Sequence, residues 1–548
     1  MTKRFLSVAL LAIAASCASV NATEIITEND IDAIVSKMTL EQKARILVGT
    51  EGKNDNISHL VAGAAGWTYE IPSLGIPSIN LADGPVGVRI NPVPSEKVSV
   101  KYDSQGIPVA TSAASGSSDG PRTFCTCFPS TTALAATWDI NAADWQGRCM
   151  ADEAKAYGVD IVLTPGINIM RNPLCGRNFE YFSEDPLLTG KMAAAIIRAI
   201  QECGIGTSLK HFVANNQQTG KKFNDARISQ RALREIYLKA FEICVKEAHP
   251  WTVMGSYNKI AGQFTQTNKD LMVRLLRNEW GFNGLVLTDW TVRRPTADLL
   301  NARCGLIMPG DEEIVQEIID AVNSGKVSAG AIDACVKDVL RVVAKSITAK
   351  GWHFTTPALS DNAAASRKIA SESMVLLKND DNPLPLKAGS KIALFGATAY
   401  KSIAGGTGSS NVNKPYVIDI STGLENAGFT IGSRMAEIYR KYNDFRTVLD
   451  DKFPGCPDWQ KISYHRTVAP EMDITGHEAL VAEEIGKSDI AVVVIGRGSG
   501  ETSDRTIEND FNLTAEETAL ISKVSAECRK QGKKMVVILN ACGVVETE

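Results

Sequence analysis

Between Ile31 and about Lys350, short apolar runs alternate with longer stretches in which apolar residues recur every three or four positions. The short runs predict strands at Pro77 to Ala82, Val159 to Thr164, Thr207 to Phe212, Thr252 to Tyr257 and Gly284 to Asp289, with a weaker one near Leu306. The longer stretches predict helices near 40–48, 141–157, 186–202, 229–247, 268–280, 312–323 and 327–346. A run that is apolar at every position suits a strand covered on both faces, and strands that alternate with helices build a largely parallel sheet. This many units in succession predict a TIM-like (β/α) barrel over residues 23–350, with a doubly wound open sheet as the competing architecture.

The alternation breaks at Trp352 to Leu359, a polar stretch containing Pro357, which marks a linker over 351–361. A second α/β unit over 362–548 is predicted by a helix at 363–379, a turn-rich stretch at 380–389, strands at Lys391 to Gly396, Asp489 to Gly496 and Lys534 to Asn540, and a helix at Ala515 to Gln531. These elements fit an α/β/α sandwich. The chain stops a few residues after its last strand, and a strand without a covering helix leaves an edge and an apolar face bare. The second domain is therefore expected to be incomplete at its C-terminus and the sequence to be a fragment of a longer protein.

The length of 548 residues exceeds what one core organises, in keeping with two or three domains. Lys+Arg 58 against Asp+Glu 62 is too even a balance to point to nucleic acid or a membrane surface as partner. Residues 1–22 combine Lys3 and Arg4, an apolar centre from Phe5 to Ala15 and small residues up to Ala22, the anatomy of a secretory signal peptide. Export to a periplasm or the exterior is the expectation, with lipid attachment at Cys17 as a weaker alternative. No other stretch is long and apolar enough for a membrane helix. The cysteines are scattered singly apart from Cys125 and Cys127, and the six histidines lack metal-ligand spacing, so neither a disulfide framework nor a metal site nor any other cofactor is expected.

The candidate chemistry sits at the ends of the predicted strands, which in a parallel barrel all open on one rim. The run Leu285 to Thr288 ends in Asp289 and Trp290, a carboxylate beside a flat apolar ring. That pairing suits a sugar, whose C–H face stacks on the ring while the acid meets the anomeric carbon. The bland alternative is that Asp289 only caps the next helix. Other strand ends supply Asp83 and Arg89; Arg171, Arg177, Asn178 and Glu180; Lys210 and His211; and Tyr257 and Asn258. Taken singly, each fits a salt bridge or a satisfied core group. Taken together, they describe a polar cup for a neutral polyol, with Asp289 at its floor.

The segments MTLEQKA (38–44), LADGPVGVR (81–89), GINIMRNPLCGRNFEYFSEDP (166–186), KHF (210–212), RALREIYLKAFE (231–242), VMGSYN (253–258), GFNGLVLTDW (281–290), SMVLLKN (373–379), GGTGSS (405–410) and GRGSGETSDR (496–505) resemble glycoside hydrolase family three, the β-glucosidase family, in family order. The resemblance implies Asp289 as catalytic nucleophile and Glu501, from the second domain, as general acid/base. It also implies a glycone pocket of Asp83, Arg89, Arg177, Lys210, His211 and Tyr257, walled by Trp290, with Ser409 nearby. A retaining glycosidase needs two carboxyl groups about 5–5.5 Å apart. Asp289 is expected to be ionised, and Glu501 protonated through a raised pKa.

Lys221 stands where the resemblance leads one to expect an arginine, so a hydroxyl would meet a point donor rather than a fork. The stretch FVANNQQTG after His211 lacks the loop of the family's N-acetylglucosaminidases, and Asp83 in LADGP differs from the glutamate of its xylosidases. The implied substrate is a β-glucoside or oligosaccharide cut at its non-reducing end. β-Xylosidase is one alternative; a non-catalytic glycan-binding protein is the other, should truncation disable the second domain. GGTGSS lacks the Gly-Lys-Ser/Thr ending of a phosphate loop and reads as a turn bordering the cleft.

Overall fold

The computed structural model describes residues 26–50, 61, 63–91, 101–102, 108–109, 123–451 and 470–547, so the expected signal peptide lies outside the described residues. Six strands form one sheet in the order Gly66–Trp67, Asn80–Asp83, Ile161–Leu163, Gly206–Phe212, Thr252–Gly255 and Leu285–Leu287. Single bridges close it: Leu287 with Leu306, Ile307 with Val48, and Thr50 with Trp67. The result is a ring of eight extended segments, a barrel rather than the open sheet. Val162, Leu209, Val253, Val286 and Leu287 are fully buried, as the uniformly apolar runs require.

One segment departs from the parallel pattern. Gly66–Trp67 runs antiparallel to both Leu81–Asn80 and Thr50. A parallel connection needs a crossover of a dozen or more residues, usually a helix. Thr68 to Ile79 instead turns back through the short helical turn Pro72–Leu74 and Gly75, whose φ of 70° reverses the chain. The predicted helix at 40–48 also ends early, at Ile46, because Val48 and Thr50 are drawn into the ring.

Outside the ring lie helices that start and stop where local chemistry dictates. Asp185 accepts from the amides of Leu187 and Leu188 at the head of Pro186–Glu202, and Pro186 fills the first helical position, where no amide is needed. Ile140–Tyr157 ends at Gly158, with φ of 85°. A Cβ there would also strike the ring of Trp352, 2.8 Å away, so the glycine both stops the helix and admits the indole.

The second domain is a parallel sheet in the order Thr430–Ile431, Lys391–Phe395, Ile490–Arg497 and Lys534–Ala541. Helix Ala515–Lys530 packs on it, started by a capping box between Thr514 and Glu517. The helix expected at 363–379 differs in extent and in place. It spans Leu359–Glu372, and Ala365 and Ile369 are buried in the barrel's core, so it covers the first domain instead of opening the second. After Glu372, four consecutive apolar residues, Met374 to Leu377, offer no helical stripe to bury and lie exposed.

Glu153 ties that helix to the barrel. Its two oxygens accept from the amide of Thr126 at 3.1 and 2.9 Å, and one of them also accepts from the Asn362 amide at 3.0 Å. Burial overrides these hydrogen bonds and pushes its pKa from 4.5 to about 7. The folded protein thus holds a proton that the unfolded chain releases, and this contribution to stability is complete below 4.5 and lost as pH rises through about 7. Glu153→Gln is expected to gain about 3 kcal/mol on the wild type between about pH 5 and about pH 8. Denaturant unfolding of both proteins at those two pH values checks this; parallel responses contradict it.

Candidate active site

Asp289 follows the Leu285–Leu287 strand by two residues and is 5% exposed. One carboxylate oxygen, Oδ1, accepts from the Trp290 amide at 2.7 Å. The helix-cap reading fails, because the next helix begins only at Thr296, after Pro295. Among the described residues, Oδ2 accepts no hydrogen bond although it is buried. A buried carboxylate oxygen left bare is costly in a folded protein unless a ligand is to meet it. Trp290 stands beside it with its indole N–H held by the carbonyl of Ala65 at 3.0 Å, which fixes the ring plane.

The neighbouring strands bring two more predicted residues, His211 and Tyr257, to this carboxylate, with Lys210 beside His211 on the chain. His211 is fully enclosed, with Nε2 3.7 Å from Asp289 Oδ2. Asn215 donates to the Tyr181 hydroxyl at 3.2 Å, and that hydroxyl shares a hydrogen bond of 3.2 Å with His211 Nδ1, which leaves Nε2 to face Asp289. Burial, together with Arg177, Lys210 and Lys221, drives the His211 pKa well down, so the imidazole is neutral and its approach to Asp289 is no salt bridge. Burial pushes the Tyr257 phenol well up, and the charges of Asp289 and then Glu501, with a hydrogen bond to Asp289, push it further. Lys210 is 2% exposed at the end of the Gly206–Phe212 strand.

Glu501 enters from the second domain. Its Oε1 lies 2.5 Å from Lys221 Nζ and 3.3 Å from Arg177 Nη1. Lys221 also sits 4.3 Å above the Tyr257 ring centroid. Asp289, Tyr257, Lys221 and Glu501 therefore form one continuous cluster. Arg177 is 1% exposed and further engages Glu180 through Nε and Ser409 Oγ at 3.5 Å, while Ser410 donates to the other Glu180 oxygen at 3.3 Å. At the rim, Asp83 ends its strand and accepts from Arg89 at 3.1 Å.

The electrostatics of the pocket run against the raised pKa expected for Glu501. Burial raises the pKa of Asp289, even though Arg177 and Lys221 oppose it. Glu501 is also desolvated, but Arg177 and then Lys221 pull its pKa far below the ordinary carboxylate range. The cause is placement: both cations face Glu501 directly, whereas Asp289 meets only neutral His211, Tyr257 and an amide. The resting pocket holds Glu501 as an anion.

Sequence reasoning missed Tyr181 and Asn215, which orient His211, and gave no role to Asp504. They carry no chemistry that a single sequence distinguishes from packing. Conversely, Arg171 donates to Tyr237 and Asn258 to the Val213 carbonyl, so both serve the scaffold. The glycine turn does border the site: Gly406 abuts the Phe179 ring, and Gly500 abuts the Thr407 hydroxyl, with no room for a Cβ at either.

A barrel rim carrying one acid and a second α/β domain lending another define a glycoside hydrolase architecture. Residues 94–342 match the glycosyl hydrolase family 3 N terminal domain and residues 374–548 the family 3 C-terminal domain. The chain superposes on beta-glucosidase 3B from Thermotoga neapolitana, in complex with alpha-D-glucose, with a TM-score of 0.84 at 38% identity, covering 94% of this chain and 70% of that one. It is 38% identical over 486 residues to thermostable beta-glucosidase B of Acetivibrio thermocellus, covering 85% of this chain and 59% of that protein. It is also 38% identical over 524 residues to an exo-alpha-(1->6)-L-arabinopyranosidase of Bifidobacterium breve, covering 93% and 60%. The chain spans about three fifths of the length of these two relatives. It belongs to glycosyl hydrolase family 3.

Proposed function

We propose that this protein is an exported, exo-acting β-glucosidase that works with retention through a covalent glycosyl-enzyme. The observation that carries the proposal is the bare, buried Oδ2 of Asp289 in one cluster with a carboxylate from the other domain. Asp83, Arg89, Arg177, Lys210, His211, Lys221 and Tyr257 supply charged and neutral hydrogen bonds for the hydroxyls of one terminal sugar, Trp290 supplies a stacking face, and Ser409 lies at the margin. The relatives named for β-glucosidase activity support glucose as the sugar.

In the first step Oδ2 of Asp289 forms a bond to the anomeric carbon as the glycosidic C–O bond breaks, and the departing oxygen takes a proton from Glu501. In the second step water gives a proton to Glu501 and attacks the same carbon, releasing Asp289. Because Arg177 and Lys221 hold Glu501 as an anion, it takes up a proton from water as substrate binds and returns one to water when the product leaves. Sugar hydroxyls that engage Lys221 and Arg177 weaken their hold on Glu501, and its pKa rises towards the range a general acid needs. The anionic resting state thus becomes a way of arming the acid only when the pocket is filled.

Asp289→Ala is expected to abolish release of nitrophenol from aryl β-glucoside, whereas Glu501→Ala should lose alkyl glucosides by about 100-fold or more and largely spare dinitrophenyl glucoside, whose leaving group needs no proton. Steady-state rates on matched β-glucoside, β-xyloside and α-L-arabinopyranoside test both the roles and the sugar. Equal loss on both leaving groups in Glu501→Ala contradicts the acid role, and turnover confined to a pentoside contradicts the glucosidase reading. Substrate binding without turnover by the wild type would favour the glycan-binding alternative.

Lys221→Met tests the arming. Lys221 lowers the pKa of both acids, so its removal raises both. With substrate bound, the acid limb of kcat, set by ionisation of Asp289, and the alkaline limb, set by protonation of Glu501, should both move to higher pH. A profile that keeps its limbs while falling in height contradicts it.

A further inference from the structure

In the loop that carries Glu501, the Asp504 side chain accepts three backbone amides of the barrel. Its Oδ1 accepts from the amides of Gly176 at 3.2 Å and Gln218 at 2.8 Å, and its Oδ2 accepts from the amide of Thr219 at 3.0 Å. The Asp504 amide meets Thr219 Oγ1 at 3.4 Å in return. Gly176 adjoins Arg177, and Thr219 stands two residues before Lys221. A single carboxylate therefore gathers the two barrel loops that hold the cations and joins them to the strand of chain that holds the acid.

The surroundings leave this loop little freedom near Gly176. Ser499 donates to the Gly176 carbonyl, and the Arg505 amide donates to the Leu174 carbonyl at 2.8 Å. A Cβ on Gly176 would collide with the carbonyl oxygens of Gly500 and Ser503, so the loop lies directly on the glycine's bare face. Between Glu501 and Asp504, Thr502 has φ of 80°, a conformation unfavourable for a β-branched residue. Such a backbone persists only where its neighbours hold it. Released from Asp504, Thr502 relaxes to negative φ, and the Glu501 side chain turns with it.

We infer that Asp504 is a positioning residue that aims the Glu501 carboxylate at the departing oxygen by clamping its loop to the barrel loops bearing Arg177 and Lys221. The inference rests on the proposed acid role of Glu501. It acts through backbone amides and needs no contact between Asp504 and substrate. Asp504→Asn is the mildest probe, since it keeps the shape while replacing one acceptor with a donor that faces an amide donor.

The test uses the full chain as Asp504→Asn, Asp504→Ala and Gly176→Ala, the last of which lifts the loop while keeping the Asp504 carboxylate. Each is assayed on alkyl and dinitrophenyl β-glucosides beside Glu501→Ala, and amide hydrogen exchange is followed over residues 498–506 and 216–220. The expected result is faster exchange in both segments, a loss of about 100-fold on the alkyl glucoside and only a few-fold on the dinitrophenyl glucoside, in all three variants. Unchanged exchange in the Asp504 variants overturns the clamp. Faster exchange with equal loss on both substrates, while Glu501→Ala remains selective, overturns the positioning role alone. A non-selective Glu501→Ala removes the acid role itself, and this inference with it.

Discussion

Glu501 reaches the barrel from another domain, and its carboxylate is held there by Arg177 and Lys221, two cations buried in the barrel rim. Buried cations need a counter-charge, and a buried carboxylate needs cations, so neither half of the site is electrostatically complete alone. Arg177 already serves Glu180, and Lys221 has the Tyr257 ring on its other side. The charge of Glu501 closes this set. Docking of the domains and assembly of the site are the same event, and the glycine turn at 405–410 and the loop at 498–506 are shaped to let it happen without a side chain in the way.

The same pairing sets the electrostatic character of the empty pocket. A glycosidase is expected to keep its nucleophile ionised and its acid protonated; here burial raises the pKa of Asp289, while Arg177 and then Lys221 lower that of Glu501. Arg177 and Lys221 lower both pKa values, but only at Glu501, which they meet at 3.3 and 2.5 Å, do they outweigh burial. A site that arms its acid only when sugar competes for those cations would keep a reactive proton out of an unoccupied pocket. Lysine at 221 suits this better than a forked guanidinium, since a single ammonium on a flexible stem exchanges one partner for another with less loss of geometry.

Much of this was legible in the chain because strand ends in a parallel barrel converge whatever their sequence separation. Asp83, Arg177, Lys210, His211, Tyr257 and Asp289 could be grouped without coordinates, since each follows an apolar run. Other features were not legible. The antiparallel Gly66–Trp67 segment is two residues long and carries no period to read. The helix Leu359–Glu372 has its stripe on Ala365 and Ile369, and periodicity says that a stripe is buried but not against which domain. The low pKa of Glu501 depends on its distances from Arg177 and Lys221, 324 and 280 residues away in sequence, which only the packed domains determine.

The central claim is that Asp289 attacks sugar in a pocket completed by the second domain. Incubation with a dinitrophenyl 2-deoxy-2-fluoro-β-glucoside, followed by intact mass and peptide mapping, tests it most directly, because the fluorine slows breakdown of a covalent intermediate more than its good leaving group slows formation. The account predicts one fluoroglucosyl group per chain, on the peptide containing Asp289, and none on Asp289→Ala. A wild-type protein that turns over the unfluorinated glucoside yet accumulates no adduct, or carries it on another residue, would contradict it.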